Sequence, residues 1–189
     1  MLRIAIIVGS AGPTERAKPS VSGPTTLRAN APMPILNGWK EIRENEMGSN
    51  DQDKIRIARE YFMRADQGRP DILELFDEDA EIYFPKFGFR FGRQSFLEMV
   101  KGFEESLEYI QHDYDSFTFI PSGDYLIVEG TSHGRMSGKS WAGGKTPGGR
   151  FCNIFKFRDG RISSLHIYLD PDYTGEDEPR FRWGKNRQW

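Results

Sequence analysis

The chain has 189 residues, of which 37% are hydrophobic and 29% are charged. This length suits one domain with an extension, and the composition excludes both a membrane-embedded protein and a fully disordered one. Lys and Arg number 26 against 28 Asp and Glu, and this near-neutral balance argues against nucleic acid as the main partner.

Cysteine and histidine are both scarce. The single Cys152 excludes an internal disulfide framework and a cysteine-based zinc site. A multi-histidine metal site would need nearly all of the three histidines, so we expect neither a metal nor another cofactor. Aromatic residues make up 13% of the chain, which is typical of a ring-lined apolar pocket, although a phenylalanine-rich core gives the same proportion.

The first fifty residues differ from the rest of the chain. Residues 13–34 are rich in Pro, Gly, Ser, Thr and Ala, a composition that buries too little apolar surface to offset the ordering entropy. We interpret residues 1–50 as a flexible leader or as upstream sequence wrongly joined to the gene. The short apolar run at Ile4–Val8 leaves a signal peptide, and hence secretion, as an alternative.

Three segments after this leader have the apolar spacing of amphipathic helices. The spacing predicts helices at about 51–67, 71–77 and 94–110, with a short strand at 80–84 between the second and the third. The first helix stops at the sequence Gly-Arg-Pro that begins at Gly68.

The remainder of the chain alternates as strands do. Strands are predicted at about 112–120, 124–137, 149–158 and 161–170, and short Gly-containing turns join the first pair and the last pair as hairpins. This order predicts an α+β fold, a cone-shaped curved antiparallel sheet with three N-terminal helices on its concave side. The domain would cover 51–172, followed by a C-terminal tail at 173–189.

Four segments carry a resemblance to a known family. Residues 52–172 resemble the nuclear transport factor 2-like fold in its SnoaL-like branch, with ketosteroid isomerase and scytalone dehydratase as relatives. The matching segments are Ile57–Gly68, Leu75–Pro85, Gly92–Phe103 and Phe155–Asp172. Because this fold hosts isomerases, dehydratases, hydrolases, cyclases and non-catalytic binders, the activity has to be argued from the site.

One face of the predicted strand 149–158 carries phenylalanine rings together with Asn153. The resemblance implies the same position, since Asn153 falls where ketosteroid isomerase has an oxyanion-hole acid and scytalone dehydratase a substrate-binding Asn. A neutral donor there would stabilise a developing enolate oxygen. The alternative is a buried amide that the backbone satisfies.

Asp66 ends the first helix, where a carboxylate meets the unfavourable end of the helix dipole. Such a side chain is either solvated or held by a partner. The resemblance matches Asp66 to the pocket Asp of scytalone dehydratase and matches Tyr61 to the oxyanion-hole Tyr of ketosteroid isomerase.

We predict that the partner of Asp66 is His112. The Gln-His pair at 111–112 resembles a pair in scytalone dehydratase whose His is a catalytic acid–base group. A carboxylate beside an imidazole orients the ring for proton transfer near neutral pH. The alternative for His112 is a surface position at the end of a helix.

The remaining site predictions concern substrate contacts. Ketosteroid isomerase has its catalytic base where this chain has Phe84, so proton abstraction by that residue is excluded. Trp141 belongs to a Gly-rich loop that we interpret as a mobile rim over the pocket, and His133 is a second-choice acid–base group. The predicted substrate-binding residues are Tyr83, Phe84, Phe151, Phe155, Trp141 and His133.

These patterns favour a cofactor-independent lyase or isomerase acting on a small, largely apolar cyclic or polyketide-like molecule. The competing interpretation is a non-catalytic module of the same fold that binds a small molecule or only dimerises. We expect a cytoplasmic homodimer formed through the outer sheet face, where His166 lies, with no nucleic-acid or membrane partner.

Overall fold

A computed structural model describes residues 48–169 of the chain. Residues 1–47 of the predicted leader 1–50, and the whole predicted tail 173–189, lie outside these residues. None of the helices within 48–169 has the length and apolarity that a membrane crossing requires.

The described residues form two α-helices, one 3-10 helix and seven strands that belong to one sheet. The helices are α1 (Ser49–Asp66), the 3-10 helix η1 (Pro70–Leu75) and α2 (Ser95–Lys101). The strands are β1 (Phe76–Phe84), β2 (Gly88–Phe91), β3 (Leu107–Ser122), β4 (Tyr125–Met136), β5 (Lys139–Ala142), β6 (Arg150–Arg158) and β7 (Arg161–Leu169). The order in the sheet is β2-β1-β7-β6-β4-β3, and β5 pairs with β4.

The α+β class is confirmed, but the sheet is mixed and not antiparallel throughout. Strand β1 pairs in parallel with β7, the last strand of the described chain, whereas the other neighbours are antiparallel. A parallel neighbour cannot come from a hairpin, and here the chain passes through five further strands before it returns to β1. Irregular register in three of the pairs accompanies the curvature of the sheet.

The prediction of three N-terminal helices is not confirmed. The second helix is a 3-10 helix of six residues, and α2 follows β1 and β2 along the chain. The predicted helix 94–110 is wrong beyond Lys101, because the chain turns after Gly102 and Leu107 already pairs with Met136 of β4. Pairing with a distant strand overrides the local helical spacing at this point.

Aromatic side chains fill the interior between α1 and the sheet. The ring centroid of Phe62 lies 4.7 Å from that of Phe117 and 5.2 Å from that of Phe151. Phe62, Phe117 and Phe155 are almost fully buried. The concave interior, which the sequence predicts as a pocket, is therefore occupied by the protein's own side chains.

A buried lysine fixes the first half of α1 to the sheet. Lys54 is 3% exposed, and its Nζ donates a hydrogen bond to the carbonyl of Gly123 at 2.5 Å. The same nitrogen lies 2.6 Å from the carboxylate of Asp51, which neutralises the buried charge. With its N-terminal half held on the β3–β4 turn, α1 presents its last residue, Asp66, to the other end of β3.

We predict that Gly130→Ala destabilises the fold through the aromatic core. A Cβ at Gly130 would lie 2.7 Å from Cδ1 of Phe117 and 2.8 Å from Cζ of Phe151, and both rings are buried. Overpacking of this kind costs about 1–3 kcal/mol. Urea denaturation measures the loss, and Gly48→Ala is the control because a Cβ there meets nothing within 4 Å. Equal stability of the two variants would contradict the prediction.

Candidate active site

The carboxylate of Asp66 is held by donors that all come from β3. Its Oδ2 accepts hydrogen bonds from Nε2 of Gln111 at 2.7 Å, from the backbone N–H of His112 at 3.0 Å and from the hydroxyl of Tyr114 at 2.7 Å. Its Oδ1 lies 2.5 Å from Nδ1 of His112. The side chain of Asp66 is 3% exposed, so the carboxylate at the end of α1 is held by partners and not by solvent.

The ring of His112 lies between this carboxylate and the aromatic core. Its centroid is 4.8 Å from that of Phe62 and 5.1 Å from that of Phe151. A carboxylate only accepts hydrogen bonds, so the neutral imidazole that faces Asp66 carries its proton on Nδ1. Nε2 then keeps a lone pair, and no hydrogen bond among the described residues uses it.

A bulge in β3 creates this arrangement. The strand pairs Asp113 with Thr131 and next pairs Thr118 with Glu129 of β4. Five steps along β3 therefore match two steps along β4, and residues 114–117 loop out of the ladder. An insertion of three residues reverses the inward and outward alternation of the strand.

The bulge places His112 and Phe117 on the same inner face, where regular alternation would put them on opposite faces. Their ring centroids are 6.4 Å apart. Ser116 stabilises the bulge, since its hydroxyl donates to the carbonyl of Asp113 at 2.6 Å and accepts from the N–H of Thr131 at 2.8 Å. Tyr114 belongs to the bulge, which explains how its hydroxyl reaches Asp66.

Tyr114 is a neutral donor in this cluster. Burial raises the pKa of its phenol, and the hydrogen bond to Asp66 and the negative charge of that carboxylate raise it further. The phenol therefore keeps its proton well beyond the pH at which an exposed tyrosine loses it.

A partly open cleft of about 520 Å³ gives solvent access to His112. It runs between β3, β4 and the segment after β5. Its lining residues are mainly polar and consist of His112, Asp113, Tyr114, Asp115, Thr131, Ser132, His133, Ala142, Gly143 and Lys145. A second cleft of about 480 Å³ runs along α1, and Tyr114 borders both clefts. No group of three potential metal ligands occurs within residues 48–169.

Asn153 and Tyr61 are buried in the core of the domain. They are 3% and 5% exposed, and the ring of Tyr61 packs against that of Phe155 with centroids 5.3 Å apart. Phe151 is the inward-facing residue of β6 that comes just before Asn153, and its ring contacts the ring of His112. The structure therefore brings Asp66 and His112 together, whereas no hydrogen bond among the described residues joins Asn153 to either of them.

The side-chain oxygen of Asn153 has no hydrogen-bond partner among the described residues, although it is fully buried. An unpaired buried acceptor is costly in a folded protein. The backbone thus does not satisfy this oxygen, contrary to the structural alternative considered for Asn153. The oxygen is available to a donor from outside the described chain.

Two of the predicted substrate contacts are wrong. Tyr83 lies on the outer face of the sheet, where its ring contacts Phe89 and His166 with centroids 4.7 Å and 5.5 Å away, because its neighbours Ile82 and Phe84 take the inner positions of β1. Trp141 is not on a mobile rim.

Trp141 is 2% exposed on strand β5, and its Nε1 donates to the hydroxyl of Ser132 at 3.2 Å. Its ring covers Gly134, where a Cβ would lie 2.3 Å from the indole. Because Gly134, on the neighbouring strand β4, has no side chain, the indole ring can lie flat on the sheet. His133 is exposed and borders the His112 cleft, whereas Phe84 and Phe155 are core residues.

Gln111 and Tyr114 are not among the site residues predicted from the sequence. The available signal was the Gln-His pair at 111–112 for the first residue. For Tyr114 the signal was its position two residues after His112 on the same predicted face. Neither signal specifies that both side chains bond to one carboxylate, because that depends on the bulge.

A family model described as SnoaL-like domain matches residues 58–165. The match includes the C-terminal half of α1 and most of β7, and hence Asp66, His112, Tyr114 and Asn153. No curated protein matches the chain.

Solved structures share the fold at low sequence identity. An NTF2-like protein from Anabaena variabilis is 21% identical, with a TM-score of 0.56 over 68% of this chain and 96% of that one. A candidate polyketide cyclase from Xanthomonas campestris pv. campestris is 21% identical, with a TM-score of 0.53 over 64% and 92%. TerC co-crystallised with polyporic acid is 18% identical, with a TM-score of 0.54 over 62% and 92%. These similarities show the fold alone.

We predict that Asn153→Leu stabilises the protein. The substitution keeps the side-chain shape and removes a buried acceptor without a partner, a group that costs about 1–3 kcal/mol. The free energy of unfolding from urea denaturation should therefore rise by about 1 kcal/mol. A fall in this free energy would show that the amide is satisfied in solution. Asn153→Asp is the matched variant, because it keeps the size and adds a charge, and it should destabilise.

Proposed function

The chain belongs to the SnoaL-like domain family, and we propose that it is a cofactor-independent acid–base enzyme of the dehydratase or isomerase type. The proposed substrate is a small, largely apolar cyclic or polyketide-like molecule, and the proposed location is the cytoplasm. The observation that carries the proposal is the imidazole of His112, which is held by a buried carboxylate and reached through a cleft.

His112 would act through Nε2, whose lone pair removes a proton from a carbon next to a substrate carbonyl. The electron pair of the broken C–H bond forms a carbon–carbon double bond. In a dehydration, the C–O bond to a neighbouring hydroxyl breaks, and the imidazolium returns its proton to that oxygen, which leaves as water. In an isomerisation, the imidazolium delivers the proton to a different carbon. The negative charge of Asp66 stabilises the imidazolium in both cases.

Asn153 and Tyr61 would bind the substrate oxygen that gains negative charge. The donor toward this oxygen would be the Nδ2–H of Asn153. The unpaired Oδ1 of Asn153, which has no partner within residues 48–169, supports the binding of a substrate hydroxyl that donates to it. The rings of Phe62 and Phe151 pack against the ring of His112 in the interior. We therefore propose that the rings of the substrate take their place.

The structural neighbours support a small-molecule ligand for this fold. TerC was crystallised with polyporic acid, and the Xanthomonas protein is described as a candidate polyketide cyclase. Because the lining of the His112 cleft is polar, we also propose that the end of the substrate nearest to His112 carries hydroxyl or carbonyl groups.

We predict that His112→Ala and Asp66→Asn each lower turnover at least about 100-fold, because a positioned acid–base group contributes about 10²–10⁴-fold. The substrate is taken from organic molecules that co-purify with the protein and are identified by mass spectrometry. Turnover is then measured by chromatography of the reaction products.

The matched controls for this experiment are Glu81→Gln and His166→Ala. These residues form a second carboxylate–histidine pair, with Nε2 of His166 2.8 Å from Oε1 of Glu81, on the outer face of the sheet. Both control variants should keep wild-type turnover. Wild-type turnover by His112→Ala would refute the enzyme proposal.

The competing function is a non-catalytic module that binds a small molecule or only dimerises. The observation that favours it is the interior, which is filled by Phe62, Phe117 and Phe151 in place of an open pocket. A wild-type protein that binds the co-purified molecule without converting it would establish this function. The binding is measured by calorimetry under the conditions of the turnover experiment.

We also propose that the protein is a homodimer formed through the outer sheet face. One row of neighbouring positions crosses six strands on this face and consists of Phe89, Tyr83, His166, Ile154, Ile127 and Ile120. Phe89 and Ile120 are 52% and 45% exposed. A stripe of this length that is apolar or aromatic at every position except His166 supports an interaction surface. Charged residues of both signs, Glu81, Lys156 and Glu129, lie in the rows beside it, as at the polar rim of an interface.

We predict that Ile154→Asp, in the middle of this row, converts a dimer into a monomer, because an unpaired carboxylate would be buried in the interface. Size-exclusion chromatography with light scattering gives the mass of the particle. Asn50→Asp, at an exposed position in the first turn of α1, is the control and should leave the mass unchanged. A wild-type protein of one chain mass would contradict the dimer.

A further inference from the structure

The two carboxylate oxygens of Asp66 have different hydrogen-bond partners. Oδ1 faces Nδ1 of His112 at 2.5 Å, whereas Oδ2 accepts three hydrogen bonds. Two of those three donors are side-chain groups, the amide of Gln111 and the phenol of Tyr114. They fix the plane of the carboxylate, and this plane determines where Oδ1 points.

Tyr114 is suited to hold the carboxylate permanently. Its ring packs against Phe117 with centroids 5.5 Å apart, so the phenol approaches Asp66 from a fixed direction. Burial and the adjacent carboxylate both raise the pKa of the phenol, which therefore stays a hydrogen-bond donor at pH values at which an exposed tyrosine has ionised. The ring also forms the shared border of the two clefts.

We propose that Tyr114 is a positioning residue that acts on His112 through Asp66. Its hydroxyl takes up part of the negative charge on Oδ2 and prevents the carboxylate from rotating, and so it determines how strongly Oδ1 holds the Nδ1 proton of His112. This inference rests on the proposed function for its catalytic meaning, but the coupling between the three side chains can be measured without a substrate.

Removing one donor should strengthen the hydrogen bonds that remain. In Tyr114→Phe the ring stays in place, but Oδ2 loses one of its three partners and the carboxylate becomes more negative toward His112. The short hydrogen bond from Nδ1–H of His112 to Oδ1 of Asp66 should therefore become stronger, and its proton should be shared more between the two atoms.

Proton NMR with ¹⁵N-labelled histidine measures this bond directly. The Nδ1–H resonance of His112, assigned by its absence in His112→Ala, lies downfield in the wild type and should move further downfield in Tyr114→Phe. Tyr109→Phe is the matched control, since Tyr109 lies on the same strand, is 46% exposed and has its ring next to His133. An unchanged resonance in Tyr114→Phe would overturn the inference.

A second experiment measures the effect of Asp66 on the ionisation of Tyr114. It tests the same coupling if Tyr114→Phe does not fold. Asp66→Asn removes the charge that raises the pKa of Tyr114, so the absorbance titration of the tyrosines should show one group that ionises at lower pH than in the wild type. Identical titration curves for Asp66→Asn and the wild type would also overturn the inference.

Kinetics with the co-purified molecule separate this inference from the proposed function. Because the more negative carboxylate makes Nε2 of His112 a stronger base, kcat should rise about tenfold in Tyr114→Phe with KM unchanged. If the resonance moves but the wild type converts no substrate, the coupling is supported and the enzyme proposal fails. If His112→Ala is inactive while Tyr114→Phe keeps both the wild-type resonance and the wild-type kcat, the enzyme proposal is supported and the positioning role fails.

Discussion

The hydrogen bonding of the Asp66 carboxylate is the interaction on which the site depends. A buried carboxylate at the C-terminus of a helix is doubly unfavourable, because it loses its hydration and faces the negative end of the helix dipole. Four donors from β3 offset this cost. The same bonds join the end of α1 to the sheet, so the group that orients His112 also closes the fold at that end.

The bulge in β3 determines which side chains can serve as these donors. The interior contains both His112 and Phe117, and a regular ladder would turn one of them away from it. The bulge keeps both of them inside and uses the hydroxyl of Ser116 to replace lost ladder hydrogen bonds. The chemistry of the site is therefore tied to a backbone irregularity in one strand, with the helix supplying a single residue.

Local patterns in the sequence were sufficient for α1 and for the four long strands, since apolar spacing and Gly-containing turns report short-range geometry. These local patterns were not sufficient for residues 102–110. The spacing of Phe103, Leu107 and Ile110 fits a helix, but the residues from Leu107 onward form a strand because they pair with β4. The parallel contact of β1 with β7 is equally non-local. The resemblance suggested the Asp66–His112 contact, whereas Tyr114 required the bulge, which alternation cannot reveal.

The filled interior and the unpaired oxygen of Asn153 both concern the packing of the core. An empty apolar hollow under the sheet would forfeit the dispersion contacts of its lining, and the rings of Phe62, Phe117 and Phe151 supply these contacts to one another. A core packed for stability alone would place an apolar residue at 153, since the amide there gains nothing from its neighbours. A ligand that brings its own ring and a hydroxyl would replace the ring contacts and also satisfy Asn153, so its entry would exchange similar apolar contacts and add one hydrogen bond.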